Sequence, residues 1–187
     1  FFIDGMVERL NIENIVKRIT SINPKILALT TTSSAKLFAS GIFKRLKVSL
    51  PETYIVGFGQ HAHYSPHAFL NQSLHIDACV YGEAELTLTE LIKETPRTIT
   101  EKKNIKGIYY WDGQLEKTPE RPLIIDLNQW PTPRYEIFNN HDYRITSLNF
   151  PTFRNIKSGW VLASRGCPYQ CTICSPAIRR SFGTILR

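Results

Sequence analysis

The hydrophobic positions in residues 1–94 alternate between the spacing of a helix and the short apolar runs of buried strands. Helices are predicted from Asn11 to Ile22, from about Ser34, and over 83–94, and strands over 1–4, 26–30, 54–57 and 76–81. Asn11 is a suitable N-cap, and isoleucines follow it at helical spacing. Strands and helices that alternate with short connections are typical of a Rossmann-like (flavodoxin-like), parallel, doubly wound α/β sheet.

A hairpin and a proline-rich segment follow. Asp112-Gly113 separates two strand-like runs, 105–111 and 114–117, which is a strong hairpin signal. The prolines after it favour an extended linker. We expect this part of the chain to be structural. Beyond it, residues 159–163 read as another strand, followed by a loop and a helix that begins at about Ala177.

Small and polar residues follow the three internal strands. They are Thr30 and Thr32 after one strand, Gly57, Gly59 and His61 after the next, and Gly82 and Glu83 after the third. Ligands of parallel sheets bind beyond the carboxyl ends of the strands, so these residues predict a pocket with hydroxyl donors and close backbone access. The alternative is that the threonines cap a helix and the glycines only turn the chain.

Composition narrows the function classes. The chain has 187 residues, 42% of them hydrophobic and 21% charged, as in a soluble globular protein. No apolar run approaches the ~20 residues needed to span a bilayer, and no targeting peptide is visible. The net charge of +7 comes from scattered Lys and Arg residues, which favours a solvated basic surface over nucleic-acid binding. Neither membrane nor nucleic acid is therefore expected as a partner.

Three of the four cysteines form a C-x-x-x-C-x-x-C array, Cys167, Cys171 and Cys174. Three thiolates on one loop can converge on one inorganic centre and leave a coordination position open. Zinc with a distant histidine is an alternative, although this spacing is less usual for zinc. An odd set of cysteines without a secretory signal argues against disulfides. Cys79 is predicted to be a small buried hydrophobe.

The cysteine array resembles that of the radical S-adenosylmethionine superfamily. The resemblance implies that Cys167, Cys171 and Cys174 hold a 4Fe-4S cluster whose remaining iron binds S-adenosylmethionine. It also implies that Ile173 lies against the adenine. The expected product of the cofactors is a 5′-deoxyadenosyl radical that acts on a small-molecule substrate, with electrons from a flavodoxin or ferredoxin type donor. Reduced thiols near such a cluster indicate the cytoplasm.

The residues at the sheet edge resemble the cobalamin-binding domain of one branch of that superfamily. The matches are Thr30 and Thr32 to Ser/Thr-x-Thr, Gly59, His61 and Ala62 to most of Gly-Gly-x-His-Ala, and Gly82, Glu83 and Glu85 to Gly-Glu-x-Glu. The resemblance implies that cobalamin binds here. Phe58 departs from the pattern, because the branch often has a glycine at this position and a ring there would narrow the groove.

The same resemblance divides the chain into three segments. We expect a cobalamin-binding-like domain over 1–100, a hairpin and linker over 101–159, and the start of a radical S-adenosylmethionine partial barrel over 160–187. Even a partial barrel takes most of the roughly 200 residues of a closed one, so we expect an inactive fragment of a longer enzyme. The intact enzyme is expected to catalyse methyl transfer or rearrangement at an unactivated carbon. The alternatives are a non-catalytic corrinoid- or metal-binding module and a methylthiotransferase-like enzyme.

Overall fold

The computed structural model of the chain describes residues 1–71, 74–138, 143, 157, 159, 161–172 and 182–187. In chain order the helices and strands are α1 (Ile12–Ile22), β1 (Ile26–Thr30), α2 (Lys36–Ser49), β2 (Tyr54–Phe58), α3 (Gln60–Tyr64), β3 (Leu70–Asn71), β4 (Leu74–His75), β5 (Ala78–Val80), α4 (Ala84–Glu94), α5 (Ile99–Asn104), β6 (Ile108–Trp111) and β7 (Leu115–Lys117). Short 3-10 turns cover Pro66–Ala68, Leu127–Gln129 and Tyr135–Phe138.

Five of the strands form one sheet in the order β1-β2-β5-β6-β7. β1 and β2 are parallel, with Ile26 opposite Tyr54 and Thr30 opposite Phe58. β5 continues the sheet in parallel beside β2, whereas β6 and β7 add to it in antiparallel orientation. β3 and β4 make a separate antiparallel pair. The predicted Rossmann-like α/β class is confirmed, with a parallel half and an antiparallel half.

Helices cover both faces of this sheet. Successive residues of β2 point to opposite sides, so Ile55 packs in one hydrophobic cluster and Tyr54 and Val56 pack in the other. The first cluster contains buried side chains of α1 and α2, and the second contains buried or partly buried side chains of α4 and α5. Two clusters with strands between them are what a doubly wound arrangement requires.

The first helix shows how the local sequence sets its ends. The side chain of Asn11 accepts a hydrogen bond from the N–H of Asn14 at 2.9 Å, which caps α1. Ile15 and Ile19 lie one turn apart and are buried against α2. Asn23 ends the helix in the left-handed conformation with φ of 47°. The predicted cap, buried stripe and end are therefore confirmed.

The predicted strand over 1–4 is wrong. The carboxylate of Asp4 accepts hydrogen bonds from the N–H groups of Met6 and Val7, both at 3.0 Å. This side-chain interaction starts a turn, which competes with extended backbone. Phe1 is exposed and does not take part in the sheet.

The strand predicted over 159–163 is also wrong for the residues described there. Val161 and Leu162 are exposed by 83% and 69%, and the segment Val161–Ala163 has no regular structure. A strand needs a hydrogen-bonded neighbour, and the described residues supply none for this segment. The helix predicted from about Ala177 lies outside the described residues.

The predicted hairpin around Asp112-Gly113 is confirmed. Gly113 has φ of +70°, and the N–H of Asp112 donates to the carbonyl of Gln114 at 2.9 Å. Its two strands are β6 and β7, so the hairpin extends the sheet beyond β5. Among the helices in the described part of the chain, none has both the length and the apolar character needed to cross a bilayer.

Candidate functional site

Thr31 joins the carboxyl ends of β1 and β2. Its side chain is fully buried, and both its N–H and its hydroxyl donate to the carbonyl of Phe58, at 2.7 and 2.8 Å. The N–H of Ala62 donates to Thr31 Oγ1 at 3.0 Å, and the N–H of His61 donates to the Thr31 carbonyl at 3.1 Å. Thr31 therefore fixes the start of α3 against the end of β1.

Gly59 connects β2 to α3 in a conformation that suits glycine. Its φ is +94° and its ψ is −174°, a region that residues with a side chain rarely adopt. A Cβ atom at this position would lie 2.9 Å from the carbonyl oxygen of Thr31 and 3.2 Å from the hydroxyl of Thr30. The backbone at Gly59 thus approaches the threonine segment more closely than a residue with a side chain allows.

Exposed hydroxyl groups lie at this edge of the sheet, and one of them contacts His61. Thr30, Thr32 and Ser33 are exposed, and Thr32 Oγ1 lies 3.1 Å from Ser34 Oγ. The side chain of His61 is buried, and its Nδ1 lies 3.2 Å from Ser33 Oγ. The Nε2 atom of His61 is buried without a hydrogen-bond partner in the described part of the chain. An unsatisfied buried nitrogen beside exposed hydroxyls is a position where a polar ligand would complete the hydrogen bonding.

The surroundings of His61 favour the neutral form of its ring. Burial, followed by the nearby Lys36 and His67, lowers the pKa of His61 below its usual value. A neutral imidazole carries one N–H donor and one acceptor nitrogen. His61 can therefore offer either function to a ligand through Nε2.

The other two predicted glycines have different surroundings. Gly82 has φ of +74°, and its N–H donates to His63 Nδ1 at 3.1 Å. A Cβ at Gly82 would meet no described atom within 4 Å, so a side chain at this one position would be uncrowded by the described residues. Gly57 lies in the core, where a Cβ would come 3.1 Å from Ile76 Cδ1 and 3.5 Å from Cys79 Sγ. Its surroundings are therefore those of a packing position.

Glu83 binds protein groups. Its Oε2 accepts from the N–H of Ile124 at 3.0 Å, and its Oε1 lies 3.3 Å from Arg165 Nη1 and 2.9 Å from Arg187 Nη2. Arg165 also pairs with Glu85. Burial alone would raise the pKa of Glu83, but the bonds from Ile124, Arg187 and Arg165 outweigh it and lower the pKa. A contact between Glu83 and a cofactor stays a prediction.

The cysteine loop begins next to this ion-pair network. Arg165 and Arg187 exchange two backbone hydrogen bonds of 2.9 Å each, and the N–H of Cys167 donates to the carbonyl of Gly183 at 3.2 Å. Cys167 is half-buried, Cys171 is exposed, and both are free thiols. In the ranges that the structure describes, no three His, Cys, Asp or Glu side chains form a metal-binding group. The remaining predicted ligand, Cys174, and the neighbouring Ile173 lie outside those ranges. The cluster assignment therefore stays a prediction.

Sequence reasoning missed three residues that organise this edge. Thr31 lies between Thr30 and Thr32, and its burial marks it as the structural member of the run. Arg165 and Arg187 are far from Glu83 in sequence, so no local pattern links them. The position of Arg165 two residues before Cys167 was the one signal available.

No protein-family model matches the chain. "Uncharacterized methyltransferase PH0819" of Pyrococcus horikoshii is 33% identical over 178 residues, which is 95% of this chain and 37% of that protein. "Anaerobic magnesium-protoporphyrin IX monomethyl ester cyclase" of Rubrivivax gelatinosus is 28% identical over 182 residues, 93% of this chain and 31% of that one. The chain thus spans about a third of the length of these curated relatives.

A solved structure has the same fold. It is the apo, selenomethionine-labelled "Cobalamin-dependent S-adenosylmethionine radical enzyme OxsB", with a TM-score of 0.60 and 21% identity. The match covers 88% of this chain and 21% of that chain. The resemblance to the cobalamin-domain branch of the radical S-adenosylmethionine superfamily is confirmed. By their printed names, both curated relatives and the solved neighbour are enzymes.

Proposed function

We propose that the chain supplies the cobalamin-binding domain and the cluster loop of a cobalamin-dependent radical S-adenosylmethionine enzyme. The observation that supports this most strongly is the position of the cysteine loop. Arg165, two residues before Cys167, is paired with Glu83 at the carboxyl edge of the sheet. Parallel α/β sheets bind their ligands at this edge, so the described start of the cysteine loop lies at the edge where the predicted cobalamin residues lie.

The residues at the ends of β1 and β2 fit a large polar ligand. Thr30 and Thr32 present exposed hydroxyls, Gly59 holds the backbone close against this threonine segment, and His61 has an unsatisfied buried nitrogen. We assign these four residues to cobalamin contacts. Phe58 packs partly buried against the cluster formed with α4 and α5, on one face of the sheet.

The thiols fit an iron–sulfur cluster by their chemistry. Cys167 and Cys171 are free and lie on one loop, and we propose that they bind iron together with Cys174. Ile173 is proposed to contact the adenine of S-adenosylmethionine. When bound, the cluster and S-adenosylmethionine supply a 5′-deoxyadenosyl radical, and cobalamin supplies a methyl carrier. The proposed reaction of the intact protein is methyl transfer or rearrangement at an unactivated carbon of a small molecule.

The names of the relatives support carbon chemistry of this kind, since one is a methyltransferase and another a monomethyl ester cyclase. Because those proteins extend well beyond the matched region, we propose that turnover requires segments that this chain does not match. We also propose a flavodoxin or ferredoxin type electron donor and a cytoplasmic location, where thiols stay reduced.

Anaerobic reconstitution tests the cluster. Iron and sulfide should give a broad visible absorption and iron bound in proportion to protein, and Cys171→Ala should lose most of it. Cys79→Ala is the matched control, because Cys79 is fully buried in the sheet and should not affect the absorption. Stoichiometric zinc binding without iron binding would contradict the proposal and favour a structural metal site.

Equilibrium dialysis against hydroxocobalamin tests the corrinoid half. We expect retention by the unmodified chain and weaker retention by His61→Ala. If the Phe58 ring narrows the groove, the Phe58→Gly variant should bind hydroxocobalamin more tightly than the unmodified chain. Retention of the corrinoid without any cluster would favour a non-catalytic corrinoid-binding module. No retention by any variant would remove cobalamin from the proposal.

A further inference from the structure

Two glutamates at the start of α4 meet two arginines from the segments that flank the cysteine loop. We call Glu83, Glu85, Arg165 and Arg187 the Glu–Arg cluster. Side-chain exposure is 2% for Arg187, 5% for Glu83, 18% for Arg165 and 38% for Glu85. The cluster contains two negative and two positive side chains, so its formal charges cancel.

Because these charges are buried, their pairing stabilises the contact between the start of α4 and the segments that flank the cysteine loop. Removing charges from water costs free energy, and a partner of opposite charge compensates for it. If one partner is removed, the other charge remains buried without compensation, and the contact opens more easily. Glu83 is the central member, because its carboxylate contacts both arginines as well as the N–H of Ile124.

The two arginines are tied to the cysteine segment by more than charge. Arg187 Nη2 donates to the carbonyl of Phe182 at 2.6 Å, and the guanidinium of Arg165 lies 6.0 Å from the centre of the Phe182 ring. The backbones of Arg165 and Arg187 are hydrogen-bonded to each other, and Cys167 continues the pairing through Gly183. Glu83 is therefore linked to the Cys167 segment by a continuous set of contacts.

We propose that Glu83 is a positioning residue that docks the cysteine loop on the carboxyl edge of the sheet. The role differs from a contact between Glu83 and a cofactor, because it acts through Arg165 and Arg187. Docking of the cysteine loop by Glu83 does not depend on any bound group. Placement of an iron–sulfur cluster by Glu83 rests on the proposed function.

The first experiment uses the reduced chain without metal. The rate at which a thiol reagent labels Cys167 is measured under native conditions for Glu83→Gln and for Glu90→Gln. Glu90 lies on α4 and pairs with Arg121, so Glu90→Gln breaks a second, more exposed ion pair of the same helix that does not include the arginines of the cysteine segment. Cys79 is fully buried and serves as an internal standard for global unfolding.

Loss of a charged hydrogen bond at Glu83 should label Cys167 about tenfold faster, equivalent to about 1.4 kcal/mol in the opening equilibrium. Glu90→Gln should leave the rate unchanged, and Cys79 should stay unlabelled in both. Arg165→Lys, which retains the charge, should give a smaller increase than Arg165→Gln. The proposal is overturned if Glu83→Gln does not change the rate, or if Glu90→Gln accelerates labelling equally.

The second experiment uses the reconstituted chain and follows the loss of visible absorption after an iron chelator is added. Glu83→Gln should incorporate the same iron per chain as the unmodified protein and lose it about tenfold faster. If the loss rates are equal, Glu83 does not position the cluster, even where labelling of the apo chain is faster. If the unmodified chain takes up no iron, the proposed function fails and the labelling experiment still decides the docking role.

Discussion

Replacing Gly59 with alanine tests the geometry of the candidate site. The φ of +94° and ψ of −174° place Gly59 in a region where a residue with a side chain costs about 1–3 kcal/mol. The new Cβ would also lie 2.9 Å from the Thr31 carbonyl oxygen, which the His61 N–H holds in place. Crowding of this kind costs about 1–3 kcal/mol more. We therefore expect Gly59→Ala to lower the free energy of unfolding by about 2–6 kcal/mol.

Gly113→Ala provides a matched control. Gly113 also has positive φ, at +70°, but a Cβ there would meet no described atom within 4 Å. Its expected cost is the backbone term alone, about 1–2 kcal/mol. Urea unfolding followed by circular dichroism measures both variants, provided the slope is unchanged. If Gly59→Ala loses no more stability than Gly113→Ala, the close contact between Gly59 and Thr31 is not a fixed feature of the fold.

Three further predictions concern buried or half-buried polar groups. The Tyr54 hydroxyl is buried without a hydrogen-bond partner in the described ranges, so Tyr54→Phe should raise the free energy of unfolding by about 1 kcal/mol, and a clear loss would contradict this. Asp77 Oδ2 accepts from Lys47 Nζ and the Ile55 N–H, both at 2.7 Å. Asp77→Asn should therefore cost about 1–3 kcal/mol in urea unfolding, against little change for an exposed carboxylate. Folding lowers the pKa of Glu83, so its carboxylate stabilises the folded protein fully above the ordinary glutamate pKa of about 4.3. This stabilisation is lost as the pH falls through the lower pKa of the folded state. Thermal melts between pH 7 and 3 should show this loss of stability. If Glu83→Gln loses as much stability over the same pH range, the loss comes from other carboxyl groups.

Elements whose sequence shows a single clear period were predictable. α1 followed from an asparagine cap and isoleucines at helical spacing, and β1 and β2 followed from short apolar runs between turns. The predicted start of α2 at Ser34 is two residues early, because the N–H of Ala35 donates to the carbonyl of Thr32 and forms a turn first. Local hydrogen bonds of this kind shift boundaries without changing the order of elements.

The partners of a charged side chain were not predictable in the same way. The position of Glu83 after a strand predicts a residue at the sheet edge, but its bonds to Arg165 and Arg187 cross most of the second half of the chain. Such contacts depend on tertiary packing, which no local spacing encodes. The antiparallel pairing of β6 with β5 has the same origin, since the turn at Asp112-Gly113 specifies a hairpin but not the sheet that it joins.

One short loop connects the two halves of the candidate site. The N–H of Gly82 donates to His63, which is on α3 two residues after His61, while the next residue, Glu83, binds the arginines beside the cysteine loop. The positive φ of Gly82 lets the chain turn between these contacts, so the backbone faces α3 and the following side chain faces the cysteine segment. Adjacent residues thus make the contact with His63 and the contact with the arginines beside the cysteine loop. Because these two contacts come from adjacent residues, the α3 contact and the arginine contact lie within a few ångström of each other along the backbone.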